Sequence, residues 1–394
     1  IDVVYNQFNY GNPSPIGIKN LWKYLYDEGS PEFLFLIGKA SNIANNYYRQ
    51  DPATSTVTHL VPTFGHPGSD VPFSEGLDGS AHYATISTGR INAKTPDHIQ
   101  DYLNKVIERE ATPINTLQQK SLVHLSGGKN EAELRLFKRY TEGFAEIAKG
   151  ELVGANTTLI SKNNDSAVEL INISEEINNG ALMVTFFGHS AGSSTDIEIG
   201  TVSNPSFGYS NKGKYPVFMV NGCLAGDFFG NDESFGVDWI LTPDLGAIAF
   251  MAHSSNALSS NLRHYTNQFY QVGFSDINFV GKSVGEIKRE AAKRYLEIYG
   301  TSASPISQVQ LVNLQGDPAV KLFGTNQPDY DINDNYLLAK DSNGDVPIAS
   351  VDSLYLSFHL LNSGIIADDN LEVLIKGTSP NGLKADYGPL RLDQ

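Results

Sequence analysis

The sequence predicts an α/β protein: a mainly parallel sheet flanked by helices, followed by a small all-β unit. Two observations carry this. Short apolar runs that stop at glycine or a small polar residue alternate with amphipathic stretches of helical period through residue 326. Past Thr325 the helical period gives out and short alternating runs replace it. Strands separated by helices favour parallel pairing with helices covering the faces.

The elements follow in order. Residues 1–5 read as a strand, and the chain is expected to be a mature or excised piece of a longer precursor. Residues 18–28 carry a helical pattern, and a strand follows at Phe33. Thr95-Pro96 opens a helix to about Glu110, with Thr95 as the cap and proline suited to the first turn. Residues 122–125 are a strand ending in Gly127-Gly128. Residues 131–149 form an amphipathic helix with apolar positions at Leu134, Phe137, Phe144 and Ile147. A short strand at 157–160 and a short helix from Ser174 lead to the apolar run 181–187. A second apolar run, 215–220, precedes a helix at 233–241, a strand at 246–252 and a helix at 283–299. Asn326-Gln327-Pro328 reads as a linker between domains 1–326 and 327–394. Residues 354–360, and then Val373 and Ile375, alternate as strands.

The chemistry gathers at two strand ends. Cys223 is the only cysteine; it follows the run 215–220 and Asn221-Gly222. His189 follows the run 181–187 and Gly188. Strand ends of an open α/β sheet are where such folds build sites. An imidazole beside a thiol can take its proton, and the thiolate then attacks an acyl carbon. The same imidazole can protonate the leaving amine. A lone cysteine is more often a small buried hydrophobe, but two reactive residues in matching contexts argue against that. Glycines at these ends allow close backbone approach, so Gly222 and Gly188 are the candidate oxyanion positions.

These segments resemble a known family. Gly188-His189 and the run from Asn221-Gly222-Cys223 to Gly226-Asp227-Phe228 are similar to the catalytic segments of gingipains, cysteine peptidases of caspase-like fold from Bacteroidetes. Residues 33–40 are similar to the family's early strand and residues 87–91 to its strand ending in Gly-Arg. Residues 314–320 are similar to the Gly-Asp-Pro segment that closes the catalytic domain. The resemblance spans about residues 1–326. It implies a caspase-like catalytic domain, Cys223 as nucleophile and His189 as general base and acid. It also implies an immunoglobulin-like domain over 327–394; that stretch is short for a sandwich and would be truncated. Ser190 stands where members commonly have glycine, and residues 253–257 lack the aromatic that arginine-specific members use. Asp70, with Glu75 and Asp78 nearby, matches the loop that supplies an acidic specificity residue, and Ser254 and Ser255 fall in the specificity-pocket region.

The function that follows is a secreted or cell-surface cysteine endopeptidase, at the outer membrane of a Gram-negative bacterium, with secretion-system or outer-membrane partners. Two alternatives stand beside it: a type IX secretion peptidase that trims sorting signals, and a non-catalytic surface or adhesion module that keeps the fold. A net charge of −16 and the lack of any basic run exclude nucleic acid as a partner. No apolar run reaches the length of a membrane span. No cofactor is needed for catalysis. The family binds calcium, which makes Asp329, Asp331 and Asp334 candidate structural ligands, with the turn at 341–345 as a further oxygen cluster. The histidines show no zinc spacing. Residues 165–167 and 352–354 resemble short O-glycosylation sites.

Overall fold

The computed structural model describes residues 1–29, 31–41, 59–80, 82–111, 120–230, 234–332, 337–346, 354–366, 371–378 and 381–392. The chain divides into two units, Ile1–Gly324 and Thr325–Gln394.

The first unit is built on an eight-stranded sheet. Its strands are β1 (Phe33–Ile37), β2 (Ser87–Ile91), β3 (Ser121–Ser126), β4 (Asn156–Ser161), β6 (Met183–Phe187), β8 (Val217–Asn221), β9 (Ala249–His253) and β10 (Val312–Gly316). A small separate pair is made by β5 (Glu169–Leu170) and β7 (Ile197–Glu198). The order across the large sheet is β1-β2-β10-β9-β8-β6-β3-β4. Every neighbouring pair is parallel except β9–β10. The β3, β6, β8 and β9 strands therefore run the same way and end at one edge. All positions of β2, β6, β8, β9 and β10 are buried, as expected of strands covered on both faces.

Among the described residues the α-helices are α1 (Asp2–Phe8), α2 (Pro15–Gly29), α3 (Pro96–Glu110), α4 (Glu131–Ala148), α5 (Ser174–Asn179), α6 (Phe235–Leu241), α7 (Ser259–Ser275), α8 (Val284–Tyr299) and α9 (Ala303–Leu311). Thr95 caps α3 as its sequence indicates, accepting from the His98 amide. A reciprocal Ser283–Glu286 box opens α8.

Several elements differ from the sequence expectation. The opening residues form α1 rather than a strand. Val3 and Val4 suggest extended chain, but Tyr5 is buried and packs with Ile18, Leu34, Leu36, Phe73 and Ile86, and tertiary packing overrides local propensity. Helices α7 and α9 and strand β10 lie in a stretch where the sequence suggested only the helix at 283–299 and the Gly-Asp-Pro segment. The signal for α7 was present: Leu262, Tyr265, Thr266, Phe269, Tyr270 and Gly273 are its buried face, at helical spacing. Glu233, the expected start of α6, lies outside the described residues.

Helix α7 fixes the strands that carry the site. Its Thr266 hydroxyl donates to Asn221 Oδ1 at 2.6 Å. Its Tyr270 hydroxyl lies 2.6 Å from Thr185 Oγ1 and 2.9 Å from His124 Nε2. Three neighbouring strands, β8, β6 and β3, are thus tied to one helix by buried polar contacts.

The second unit holds three antiparallel pairs among the described residues: β11 (Tyr330–Ile332) with β14 (Leu360–Asn362), β12 (Leu338–Lys340) with β13 (Tyr355–Ser357), and β15 (Leu371–Thr378) with β16 (Lys384–Leu392). Strand β15 alternates half-buried and exposed positions, the pattern of a strand with one covered face.

Candidate active site

Register places the thiol and the imidazole side by side. In the parallel β6–β8 pair, Phe187 sits opposite Asn221. His189 and Cys223 each lie two residues past that pair, on adjacent strand ends. Asn221 ties the two ends together twice: its carbonyl accepts from Gly188 N at 3.0 Å, and its side-chain amide donates to Phe186 O at 3.1 Å. The Ser190 hydroxyl donates to the Cys223 carbonyl at 2.8 Å. Gly222 leaves room for Ser190: an added Cβ would stand 2.0 Å from Ser190 Oγ and 2.9 Å from its Cβ, so the serine would have to move.

The imidazole has a partner that the sequence reading missed. His189 Nε2 lies 2.9 Å from Glu133 Oε2, with each side chain about a third exposed (33% and 31%). Glu133 is in the first turn of α4, after the cap Asn130, and the same carboxylate oxygen accepts from Lys129 N at 2.9 Å. Partial desolvation raises its pKa, but the Lys129 amide and His189 outweigh this and hold it below the ordinary value. Phe137, one turn further along the same face, puts its ring 5.8 Å from the imidazole. Phe137, Tyr140 and Phe144 also pack on Phe187, so α4 grips the end of β6. The sequence signal was an acid three residues after an Asn cap, which reads first as a helix-end charge.

With Nε2 facing Glu133, Nδ1 is the ring nitrogen left to work on a thiol. The Cys223 thiol is half-buried and its hydrogen bond goes to Ala257 O at 3.8 Å; among the described residues no thiol–imidazole hydrogen bond is formed. The next residue, Leu224, is in the left-handed region (φ +60°), an uncommon conformation for a non-glycine residue. It is held there by Leu224 N to Ser255 O (3.0 Å) and Gly226 N to His253 O (3.0 Å). The cysteine turn is thereby pinned to the end of β9.

The remaining sequence candidates fall differently. Among the described residues, the amides of Gly222 and Cys223 donate no hydrogen bond, whereas that of Gly188 is spent on Asn221 O. Gly188 is therefore corrected as an oxyanion donor. Asp70 is corrected as an open specificity acid. It is buried (5% exposed) and paired in bidentate fashion with Arg90: Nε–Oδ2 is 2.6 Å and Nη2–Oδ1 is 2.8 Å. Arg90 also donates to the carbonyls of Gly38, Val61 and Pro62, so the pair pins an interior loop. Glu75 accepts from Gln310 and Asp78 from Ser80 and Thr85. Ser254 is buried and its hydroxyl donates to Gly68 O, so it faces inward rather than toward substrate. Ser255 lies beside the cysteine turn.

Of the calcium candidates, Asp329 and Asp331 lie among the described residues. Asp331 Oδ1 accepts from Ile332 N, and Asp341 Oδ1 accepts from the amides of Asn343 and Asp345 within a tight turn. Among the described residues no group of three His, Cys, Asp or Glu side chains could hold a metal ion. Asp334, like Asp352 and Ser353, lies outside them. No helix among them is long and apolar enough to cross a membrane.

A mainly parallel eight-stranded sheet flanked by helices matches the caspase-like fold of the gingipain cysteine peptidases. The model of peptidase family C25 matches residues 1–323, and the chain belongs to that family. Its fold is similar to that of the complex of RgpB pro- and mature domains from Porphyromonas gingivalis: 15% identity, TM-score 0.65, covering 97% of this chain and 91% of that one. It is also similar to the Arg-specific cysteine proteinase gingipain R (RgpB): 14% identity, TM-score 0.64, covering 95% and 88%. A third solved structure, described only as a protease, matches at 14% identity and TM-score 0.57, covering 95% and 87%. None of the curated proteins compared is a match.

Proposed function

We propose that the chain is an endopeptidase in which Cys223 is the nucleophile, His189 the general base and acid, and Glu133 the group that orients the imidazole. The carrying observation is the shared register of the β6 and β8 ends, with Glu133 2.9 Å from His189 Nε2. A proton on Nε2 directed at Glu133 leaves Nδ1 to take the thiol proton. The thiolate then adds to the peptide carbonyl. The amides of Gly222 and Cys223 supply donors for the oxyanion. His189 returns its proton to the leaving amine, and water, deprotonated by His189, releases the acyl group from sulfur.

The substrate is an extended protein segment. Because Asp70 is neutralised by Arg90, selection of a basic side chain through Asp70 is not part of this reading. The acidic composition suits a solvated surface outside the cell, at the cell surface or in the medium. We read residues 327–394 as an immunoglobulin-like β domain, on the support of their three antiparallel pairs.

The test is turnover of a mixed peptide library by wild type, Cys223→Ala and His189→Ala, with melting followed in parallel. Loss of turnover in both variants without loss of fold is expected. Full turnover in Cys223→Ala would overturn the assignment. Turnover confined to sorting-signal tails would favour the secretion-linked peptidase, and no turnover by reduced wild type the surface module.

A further inference from the structure

One buried carboxylate beside the site is unused by that scheme. Asp196 is 3% exposed. It closes the short hairpin that follows His189, bridged at Ser190 and Thr195. Its own amide donates to the His189 carbonyl at 2.8 Å. Its Oδ2 accepts from Gly128 N at 2.8 Å. Its Oδ1 is sealed from solvent and takes no hydrogen bond of full geometry. That oxygen lies against Gly127 and Gly188, where added Cβ atoms would stand 2.0 Å and 2.5 Å away. Burial raises the carboxyl pKa, and the Gly128 and His189 amides, with the charges of Lys162 and His189, only partly offset this.

Such a group carries a desolvation cost, so its placement asks for a reason. Gly128 and Lys129 lead directly into the cap of α4, and the Lys129 amide holds the carboxylate of Glu133. Lys162 grips the same turn from the other side, donating to Gly128 O at 2.9 Å. Asp196 therefore touches both sides of the Glu133–His189 contact: the loop that launches Glu133, and the backbone of His189 itself.

We infer that Asp196 is a positioning residue for peptide hydrolysis, clamping the Gly128 turn to the His189 hairpin so that Glu133 and the imidazole meet. The inference rests on the proposed roles of Cys223, His189 and Glu133. Asp196 touches no substrate; its effect passes through the geometry of the Glu133–His189 pair.

The test is a cycle of Asp196→Ala, Glu133→Ala and the double variant, read as kcat and KM separately. Asp196→Ala is expected to lower kcat about tenfold or more with KM within about threefold. In the Glu133→Ala background the same change should cost less than about threefold, because the contact it supports is gone. Asp196→Asn keeps an oxygen for Gly128 N and removes the buried charge. It should retain most of the wild-type kcat and melt at or above the wild-type temperature. Wild-type kcat in folded Asp196→Ala, or losses that simply multiply in the double variant, would overturn the inference. If Asp196→Ala does not fold, Asp196→Ser replaces it in the cycle, since its shorter hydroxyl falls short of Gly128 N. Low kcat in Asp196→Asn together with a raised melting temperature would also count against the clamp. Turnover surviving in Cys223→Ala would remove the parent reading and this inference together. An inactive Cys223→Ala beside a fully active Asp196→Ala removes this one alone.

Discussion

Replacing Glu133 by Gln isolates the orienting role proposed for one carboxylate. The substitution keeps an oxygen that can accept from Lys129 N but presents a neutral amide to His189. In buried catalytic triads the equivalent loss of charge costs about 10⁴ in kcat. Here both side chains are about a third exposed, so solvent screens part of the interaction. A charge-assisted hydrogen bond is worth about 1.5–3 kcal/mol, and each 1.36 kcal/mol is tenfold in rate. The expected fall in kcat is thus about 10- to 150-fold, with KM nearly unchanged. Stability should move little. The carboxylate also complements the N-terminus of α4, worth about 0.3–1 kcal/mol at such a site. Its lowered pKa means that this contribution is present above the unfolded carboxyl value, and fades only as acid protonates the folded group. Steady-state turnover of a fluorogenic peptide mixture, normalised by titration of the thiol, reads the effect. Wild-type kcat in Glu133→Gln beside an inactive Cys223→Ala would refute the orienting role.

Three further expectations concern the scaffold. Burial lowers the pKa of His124 from 6.5 to about 4. The unfolded chain takes up a proton in that window and the folded one does not, so stability should fall from pH 6.5 to 4 by an amount of order 3 kcal/mol. Urea melts of His124→Gln should lack that part of the slope. Burial likewise lowers Lys105 from 10.5 to about 7, although its ammonium donates to the carbonyls of Trp239 and Ile240 at the end of α6. The unfolded chain then holds the proton that the folded one releases, so wild-type stability should gain as pH rises from 7 toward 10; Lys105→Met should lose that gain. Asp70→Asn leaves Arg90 as an uncompensated buried charge and should cost on the order of 3 kcal/mol. It should leave side-chain preference unaltered in a peptide-library profile; a changed preference would restore Asp70 to the substrate site.

The strands that carry Cys223 and His189 were legible because each is a continuous apolar run closed by glycine, the mark of a fully buried parallel strand. The capped helices α3 and α8 were legible for the same kind of reason: Thr95-Pro96 and Ser283 announce their starts. The N-terminal helix α1 was not, because seven residues show no full period and Val3 and Val4 favour extended chain. Helix α7 shows its period only when Tyr265, Thr266 and Tyr270 are counted with the apolar residues of its buried face. The Thr266 hydroxyl is buried because Asn221 accepts from it, and that of Tyr270 because Thr185 and His124 lie within hydrogen-bond reach of it.

Acids were the least legible residues, and the reason is physical. The sequence shows a carboxylate but not its partner, and the partner decides its role. Asp70 sits in a polar loop and looked available, yet Arg90, 20 residues on in β2, consumes both of its oxygens. Glu133 looked like an ordinary first-turn acid, yet the fold brings a histidine 56 residues away to within 2.9 Å of it. Asp196 gave no signal at all, because its partners are backbone amides from another strand end. The three carboxylates are separated by burial and pairing rather than by type. One is locked in an interior ion pair, one is about a third exposed and faces a ring nitrogen, and one is sealed against glycines. Only the second keeps both a charge and access to solvent, the two properties that a group facing a reacting imidazole needs. That contrast is why Glu133, rather than the better placed Asp70 of the sequence pattern, is the acid whose replacement should be felt in turnover.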